Sequence, residues 1–380
     1  MFSMQVKTRA ISISVLLWVA FCSHPAFVDA SEKKESPSKE QDRVTISGLF
    51  YIAYEMGELR GEDLGRFFIR RAYLTAEAKI LPFLSARTTF DANQDLEGDG
   101  RGDMEVRLKY AFAKFDFKDW RVFREVYLEA GIVHMVWLDF EEHINLYRMR
   151  GPMFMERSGI FNSADFGLTF AGSLGSVLGE DYRKLVNSKY SSKRGSFAVG
   201  IYNGGGYHGV EVNSNKATEG RITFRPLPET LAGLQLSGLI ITGEGNVSGD
   251  SNVTPDWDTY NGFVSYEHRR GAVTAQYIRG QGNQRGTWIE PDDPSKATPF
   301  SGWAVFGEWR FGPHWRTTGG YDRFDRQAGE NDFSFHRVYA AVGYDLGRQN
   351  IVMFDWDRRV WDDSTSPIDN RYQFVLQLKF

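Results

Sequence analysis

From Val44 to the last position, the side chains change character at every second residue. Val44, Ile46, Gly48, Phe50 and Ile52 alternate with Thr45, Ser47, Leu49, Tyr51 and Ala53. In a β-strand successive side chains point to opposite faces, so this period defines strands with two unlike faces and excludes long helices. The closing segment follows the same rule: Tyr372, Phe374, Leu376, Leu378 and Phe380 oppose Gln373, Val375, Gln377 and Lys379. A soluble sandwich strand could read this way, but chain ends are usually frayed and polar. An aromatic final strand is expected where a barrel in lipid closes by pairing its last strand with its first.

The pattern recurs along the chain. Ala72, Leu74, Ala76, Ala78 and Ile80 oppose Arg71, Tyr73, Thr75, Glu77 and Lys79, and after Leu81-Pro82 a third strand runs from Leu84 to Asp91. The fourth sets Val106, Leu108, Tyr110 and Phe112 against Glu105, Arg107, Lys109 and Ala111. The fifth sets Val126, Leu128, Ala130 and Ile132 against Glu125, Tyr127, Glu129 and Gly131. Eleven further strands are expected near 164–172, 196–203, 219–226, 233–243, 257–268, 271–280, 300–311, 314–323, 333–346, 349–358 and 369–380, sixteen in all. Connections after odd-numbered strands are mostly long and polar, and those after even-numbered strands are mostly short. The exception is 173–195, a long segment on the short-turn side with no evident reason in the sequence. Long loops at one rim and tight turns at the other are the pattern of a transmembrane antiparallel barrel with short periplasmic turns and long external loops. A propeller also has many strands, but no repeat of propeller length is present.

Composition agrees with this fold class. Mean hydropathy is −0.40 and aromatic residues make up 15% of the chain. Barrel strands hide from hydropathy because apolar and wet positions alternate. The net charge of −4 gives no polyanion-binding character, so no nucleic-acid partner is expected. Residues 1–30 read as a secretory signal, with Lys7 and Arg9, an apolar run from Ala10 to Cys22, and Val28-Asp29-Ala30 before Ser31. Residues 31–42 read as a disordered lead-in, and 43–380 as the barrel domain. Cys22 is the single cysteine, so disulfides and thiolate chemistry are not expected after cleavage.

Three segments resemble a known family. Arg70-Arg71-Ala72-Tyr73-Leu74-Thr75-Ala76-Glu77-Ala78-Lys79, Phe154-Met155-Glu156-Arg157-Ser158 and Phe197 to Gly204 resemble, in turn, a double-arginine second strand, an internal loop and a later strand of the phosphate-selective porin O and P family. The last strand ending in Phe380 also resembles the signal read by the barrel assembly machinery of outer membranes. The resemblance implies a homotrimeric, sixteen-stranded porin in the Gram-negative outer membrane, surrounded by its lipids. It implies a general or anion-preferring pore for small hydrophilic solutes, phosphate among them.

A pore selects through its constriction and the charges that line it. Alternation assigns Arg71, Lys79, Arg87, Arg107, Lys109, Arg221, Arg225, Arg310, Arg316, Arg337, Arg371 and Lys379 to the lumen, with Glu77, Glu105, Glu129, Glu267, Glu308, Asp322, Asp355 and Asp357. Twelve cations against eight anions imply a modest anion preference, unless the mixed charges only hold water and pair across strands. The connection 135–163 is the longest and is expected to fold into the channel, bringing Arg148, Arg150 and Arg157 to the constriction. A guanidinium presents a fixed fork suited to phosphate or carboxylate. No lysine lies in this loop, which argues against strict phosphate selectivity.

No cofactor is expected. Asp91, Asn93 and Asp95 begin like a calcium loop, but Leu96 stands where such a loop needs Gly and Gly102 where it needs Glu, so a solvated turn competes with an external calcium site. Catalysis is not expected: His134, His143, His208, His268, His314 and His336 are scattered, without GxSxG or HExxH spacing. An outer-membrane lipase or protease barrel is the alternative from another class, and a plugged structural barrel is a third. Histidines at the rims and Trp303, Trp309, Trp315 and Trp356 read as interface residues, the tryptophans forming a girdle.

Overall fold

The computed structural model describes residues 44–95, 100–248, 254–326, 333–363 and 366–380. The expected signal segment 1–30, with Cys22, and the lead-in 31–42 lie outside the described residues.

Sixteen antiparallel strands close into one barrel. They are β1 (Val44–Leu59), β2 (Glu62–Leu81), β3 (Leu84–Gln94), β4 (Met104–Asp116), β5 (Phe123–His134), β6 (Ala164–Leu174), β7 (Gly195–Tyr202) and β8 (Ala217–Phe224). The wall continues through β9 (Leu234–Glu244), β10 (Asp256–His268) and β11 (Gly271–Gln281). A separate hairpin of β12 (Ile289–Glu290) and β13 (Asp293–Ala297) then interrupts the 281–299 connection, where only a loop was expected. The wall finishes with β14 (Pro299–Phe311), β15 (Trp315–Arg326), β16 (Phe335–Gly347), β17 (Asn350–Trp361) and β18 (Asp369–Lys379). Every expected strand is present. Most are 11 to 20 residues long, enough to cross a hydrocarbon core at a tilt.

Closure falls where the final strand implies it. β18 pairs antiparallel with β1, Leu49 opposite Lys379 and Tyr54 opposite Phe374. Beyond the strand, Gly48 and Phe380 exchange both backbone hydrogen bonds, at 2.9 and 3.1 Å. The Phe380 ring lies over Gly48, which has no side chain to obstruct it, and faces the Phe50 ring at 5.8 Å. Pairing the last strand leaves no open edge, the condition for a sheet in lipid.

The outer wall is apolar and ringed by aromatics. Trp303, Trp309 and Trp315 are exposed on it, with Tyr260, Tyr266, Tyr277 and Tyr344. Trp356 is half-buried, its indole N–H donating to Asn370. All four tryptophans thus lie on the outer face of the wall. The expected rim placement fails for two histidines. His134 stacks on Tyr110 inside the wall with ring centroids 4.0 Å apart, and His143 sits in the loop after β5 beside Tyr190.

Among the bulges of the wall, two correct the simple alternation beside the lumen cations. In β2, Tyr51 opposes Arg71 while Ile52 opposes Ile69, so Arg70 is an extra residue in the ladder. In β4, Thr89 opposes Tyr110 while Phe90 opposes Leu108, so Lys109 is extra there. A bulge puts two residues opposite one and exchanges the faces beyond it. Tyr110 and Phe112 therefore turn inward and are buried, and Ala111 turns out, contrary to the unbroken alternation read for this strand.

Candidate functional site: the lumen and its inward loop

The connection between β5 and β6 enters the barrel. It forms α1 (Val136–Glu142), a single 3-10 turn at Arg148–Arg150, and α2 (Phe154–Arg157). Met135, Trp137, Leu138, Phe140, Met149, Met155 and Ile160 are almost fully buried among wall side chains. Trp137 meets Phe263 edge-on at 5.2 Å, and Phe154 meets Phe324 at 6.4 Å. These apolar anchors supply the driving force for an inward loop.

Polar anchors fix its position. The first backbone N–H groups of α1 have no partner within the helix, and Glu219 on β8 accepts from Val136 and Trp137, each at 2.9 Å. Glu141 accepts from the Trp137 indole at 2.9 Å and from Gln276 on β11 at 2.8 Å. Burial pushes the Glu141 carboxyl up to about 7, against the opposing pull of those hydrogen bonds. Tyr147 donates its hydroxyl to Glu308 on β14. On the far side Arg150 Nε donates to Asp355 Oδ1 at 2.5 Å, and Gln373 donates both to Asp355 and to the Arg150 carbonyl.

Above the 3-10 turn, on the long-loop side, the lumen holds two adjoining cavities of 310 and 180 Å³. Arg66, Arg70, Arg71, Arg148 and Arg371 line the first. Arg150, Arg157, Arg337 and Arg359 line the second, together with Arg70 and Arg371. Nine arginines thus face the paired chamber, and the carboxylates lining it are Glu55, Asp357 and Asp369. Most guanidiniums of the chamber are backed by carboxylates. Arg71 bonds Asp91 at 3.1 Å, Arg157 bonds Asp322, and Arg337 bonds Asp357 and Asp322. Arg148 reaches Glu156 and Glu142, each at 2.6 Å. Burial alone raises the Glu156 carboxyl, yet Arg148 outweighs it and holds the group down at about 2.

Of the residues expected at the constriction, Arg71, Arg148, Arg150, Arg157 and Arg337 gather in this chamber. Arg107 and Lys109 occupy the neighbouring wall. Arg107 pairs with Glu105, and Lys109 donates to the Tyr73 hydroxyl at 3.0 Å. Lys79 and Arg87 stand apart, near the short-turn ends of β2 and β3, where Arg87 pairs with Glu77 at 3.6 Å. Sequence reasoning missed Arg66, Arg70 and Arg359. Arg70 falls on the outer face under strict alternation, and only the bulge turns both members of the Arg70-Arg71 pair inward. Arg66 pairs with Glu55 at 2.8 Å, a partner visible only once the β1–β2 register is known.

Asp91 points into the lumen, where Arg71 and the Tyr207 hydroxyl meet it. Asp95 lies in the turn beyond β3, its backbone paired with Asp103. Asp91 and Asp95 thus make separate contacts, and no cluster of three metal-binding side chains occurs among the described residues. Residues 96–99 of that run lie outside the described residues.

No family model matches this sequence, and no curated protein matches it either. Solved structures do. The outer membrane channel DcaP of Acinetobacter baumannii aligns over 89% of this chain and 97% of its own, with 12% identity and a TM-score of 0.57. Salmonella typhi OmpF, solved with daunomycin, aligns over the same shares with 13% identity and a TM-score of 0.60. A loop-deletion form of OmpT, an outer membrane protein of Vibrio cholerae, aligns over 89% of this chain and all of its own, with 12% identity and a TM-score of 0.52. The chain therefore has the porin-like barrel fold of these outer-membrane proteins.

Proposed function

We propose that this barrel is a passive porin for small hydrophilic solutes with a modest preference for anions, phosphate among them, and that it performs no catalysis. The observation that carries the reading is the arginine-faced chamber beside the inward loop. Guanidiniums at the chamber surface with carboxylates behind them present positive charge to a passing ion and cancel much of it at longer range. Eight distinct carboxylates pair with the nine arginines, which favours a weak bias over a tight phosphate site.

A homotrimer is part of the proposal. Ala78, Ala86, Ala113 and Ala130 lie side by side in register across β2–β5 on the outer face. The outward positions of these four strands carry no tyrosine or tryptophan, unlike β14 with Trp303 and Trp309. A flat wall without a girdle suits a second copy better than a lipid headgroup region.

Reversal potential in a planar bilayer under a salt gradient tests the selectivity. An anion-directed potential is expected, reduced in Arg107→Glu and in Arg148→Glu. A cation-directed potential in the wild type would sink the anion reading. Block of chloride current by low phosphate would replace weak bias with a specific site.

A further inference from the structure

The long connection between β6 and β7 lies on the side of the short turns, and it turns back into the barrel. Gly175 N–H bonds the Val122 carbonyl at 2.7 Å, and Val177 and Ser192 form a bridge that narrows the segment to a strap. Its first part carries the short helix α3 (Glu180–Leu185), with no buried residue. Its second part is the reverse: Asn187, Tyr190, Ser191 and Ser192 are all buried. Arg225, just beyond β8, donates to the carbonyls of Tyr190 and Ser192 at 2.9 and 3.0 Å, holding the strap to the wall.

The strap ends against the inward loop. Lys189 Nζ lies 2.8 and 2.6 Å from the two Asp139 carboxylate oxygens, and the Tyr190 hydroxyl donates to Asp139 at 2.6 Å. Asn187 donates to the His143 carbonyl at 3.2 Å and to Glu267 on β10 at 2.9 Å. The Tyr190 ring meets Phe140 edge-on at 4.9 Å. A segment from the turn side and a loop from the opposite rim thus meet inside the lumen and are fastened through one carboxylate.

The wall around them is polar. Arg221 on β8 lies over the rings of both Phe140 and Tyr190, and its Nε is buried without a partner. Thr259, Asn261 and Ser265 on β10 each bury a polar side-chain oxygen without a partner. A polar wall of this kind suits a water-filled passage beside the strap.

We propose that Lys189 and Tyr190 are positioning residues of the pore: by fastening 175–194 to Asp139 they narrow the open cross-section at the turn side. This rests on the porin reading above. Removing the fastening widens the passage without changing which sign of ion prefers it, because Lys189 and Asp139 are lost or kept as a neutral pair.

The test is single-channel conductance, the largest polyethylene glycol that enters the pore, and reversal potential. The proteins are wild type, Lys189→Met/Asp139→Leu, Lys189→Arg, and a barrel in which residues 178–191 are replaced by a two-residue turn together with Asp139→Leu. Heat-modifiable migration on gels confirms that each is a folded barrel. The neutral double variant and the shortened barrel are expected to conduct at least about twofold more and to admit larger polymers, with reversal potential unchanged. Lys189→Arg is expected to behave as wild type. Equal conductance and equal polymer cutoff in wild type and the shortened barrel would overturn the proposal, since the shortened form needs no intact ion pair to fold. A reversal potential that moves with the double variant would also overturn it, by making the pair a selectivity element. Current through the shortened barrel alone would overturn it too, because the neutral double variant releases the same fastening, whereas silence from every folded form would remove the porin reading and this one with it.

Discussion

Arg148→Met removes a charge from the loop while keeping an unbranched side chain of similar reach. Arg148 is only 7% exposed, forks onto Glu156 at 2.6 and 2.8 Å, and also meets Glu142. Glu156 carries the record of that contact. Burial pushes its carboxyl up, and Arg148 brings it from the ordinary 4.5 down to about 2. The depression corresponds to ~3 kcal/mol favouring the ionised form. Losing one partner of a buried pair costs ~3–5 kcal/mol, the same range, because the remaining carboxylate loses the cation that hydrogen-bonds it. The variant is therefore expected to lose ~3 kcal/mol at pH 7, measured by urea unfolding from lipid vesicles with tryptophan fluorescence. The pH dependence has a definite sign. A depressed carboxylate contributes stability that is present above its unfolded value of 4.5 and lost as pH falls through about 2. The gap between wild type and variant should thus be full at pH 7 and narrow as pH drops from 5 toward 2. A gap under ~0.5 kcal/mol at pH 7, the worth of an exposed pair, would refute the reasoning. So would a gap that stays constant through the acid range.

Glu141 behaves in the opposite sense. Its carboxyl is raised to about 7 by burial, so its contribution is full below 4.5 and lost as pH rises through about 7; Glu141→Gln should flatten unfolding free energy over that window. A variant with the wild-type slope would exclude Glu141 as its source. Gly48→Val places a branched side chain under the Phe380 ring, and the displaced terminal strand should lower the temperature at which the folded band disappears on gels; an unchanged temperature would show that the ring contributes nothing to closure. Arg70→Ala removes a chamber-facing guanidinium, and its reversal potential should move toward the cation side; no movement would return Arg70 to the outer face. Ala113→Trp sets a bulky ring into the alanine row, and native gels should show trimer giving way to monomer, whereas an intact trimer would move the interface elsewhere.

The strands were legible because each needs only its own neighbours: a period of two in Tyr372 to Phe380 is a local property, and lipid outside with water inside rewards it. The inward loop was legible by length and by the apolar company of Arg148, Arg150 and Arg157. What escaped was set by partners distant in sequence. Lys109 and Arg70 are bulged residues, and a bulge is a mismatch between two strands that neither strand encodes alone. The lumen count of twelve cations and eight anions also omitted Glu55, Asp91, Glu219 and Asp369, although alternation alone sets them on the lumen face beside residues that were counted. The 173–195 connection made no sense as a turn because its partner, Asp139, belongs to a loop from the other rim.

By itself, then, the sequence determined the sheet, its sixteen crossings, its closure by the last strand and the side of the long loops, since alternation and turn chemistry are local. Tertiary structure alone decided which arginines share a chamber, which carboxylates stand behind them, and that two loops from opposite rims meet in the lumen. A barrel wall folds each strand beside one already in place, so register, bulges and loop contacts are settled between segments, and charge at the pore follows from those pairings.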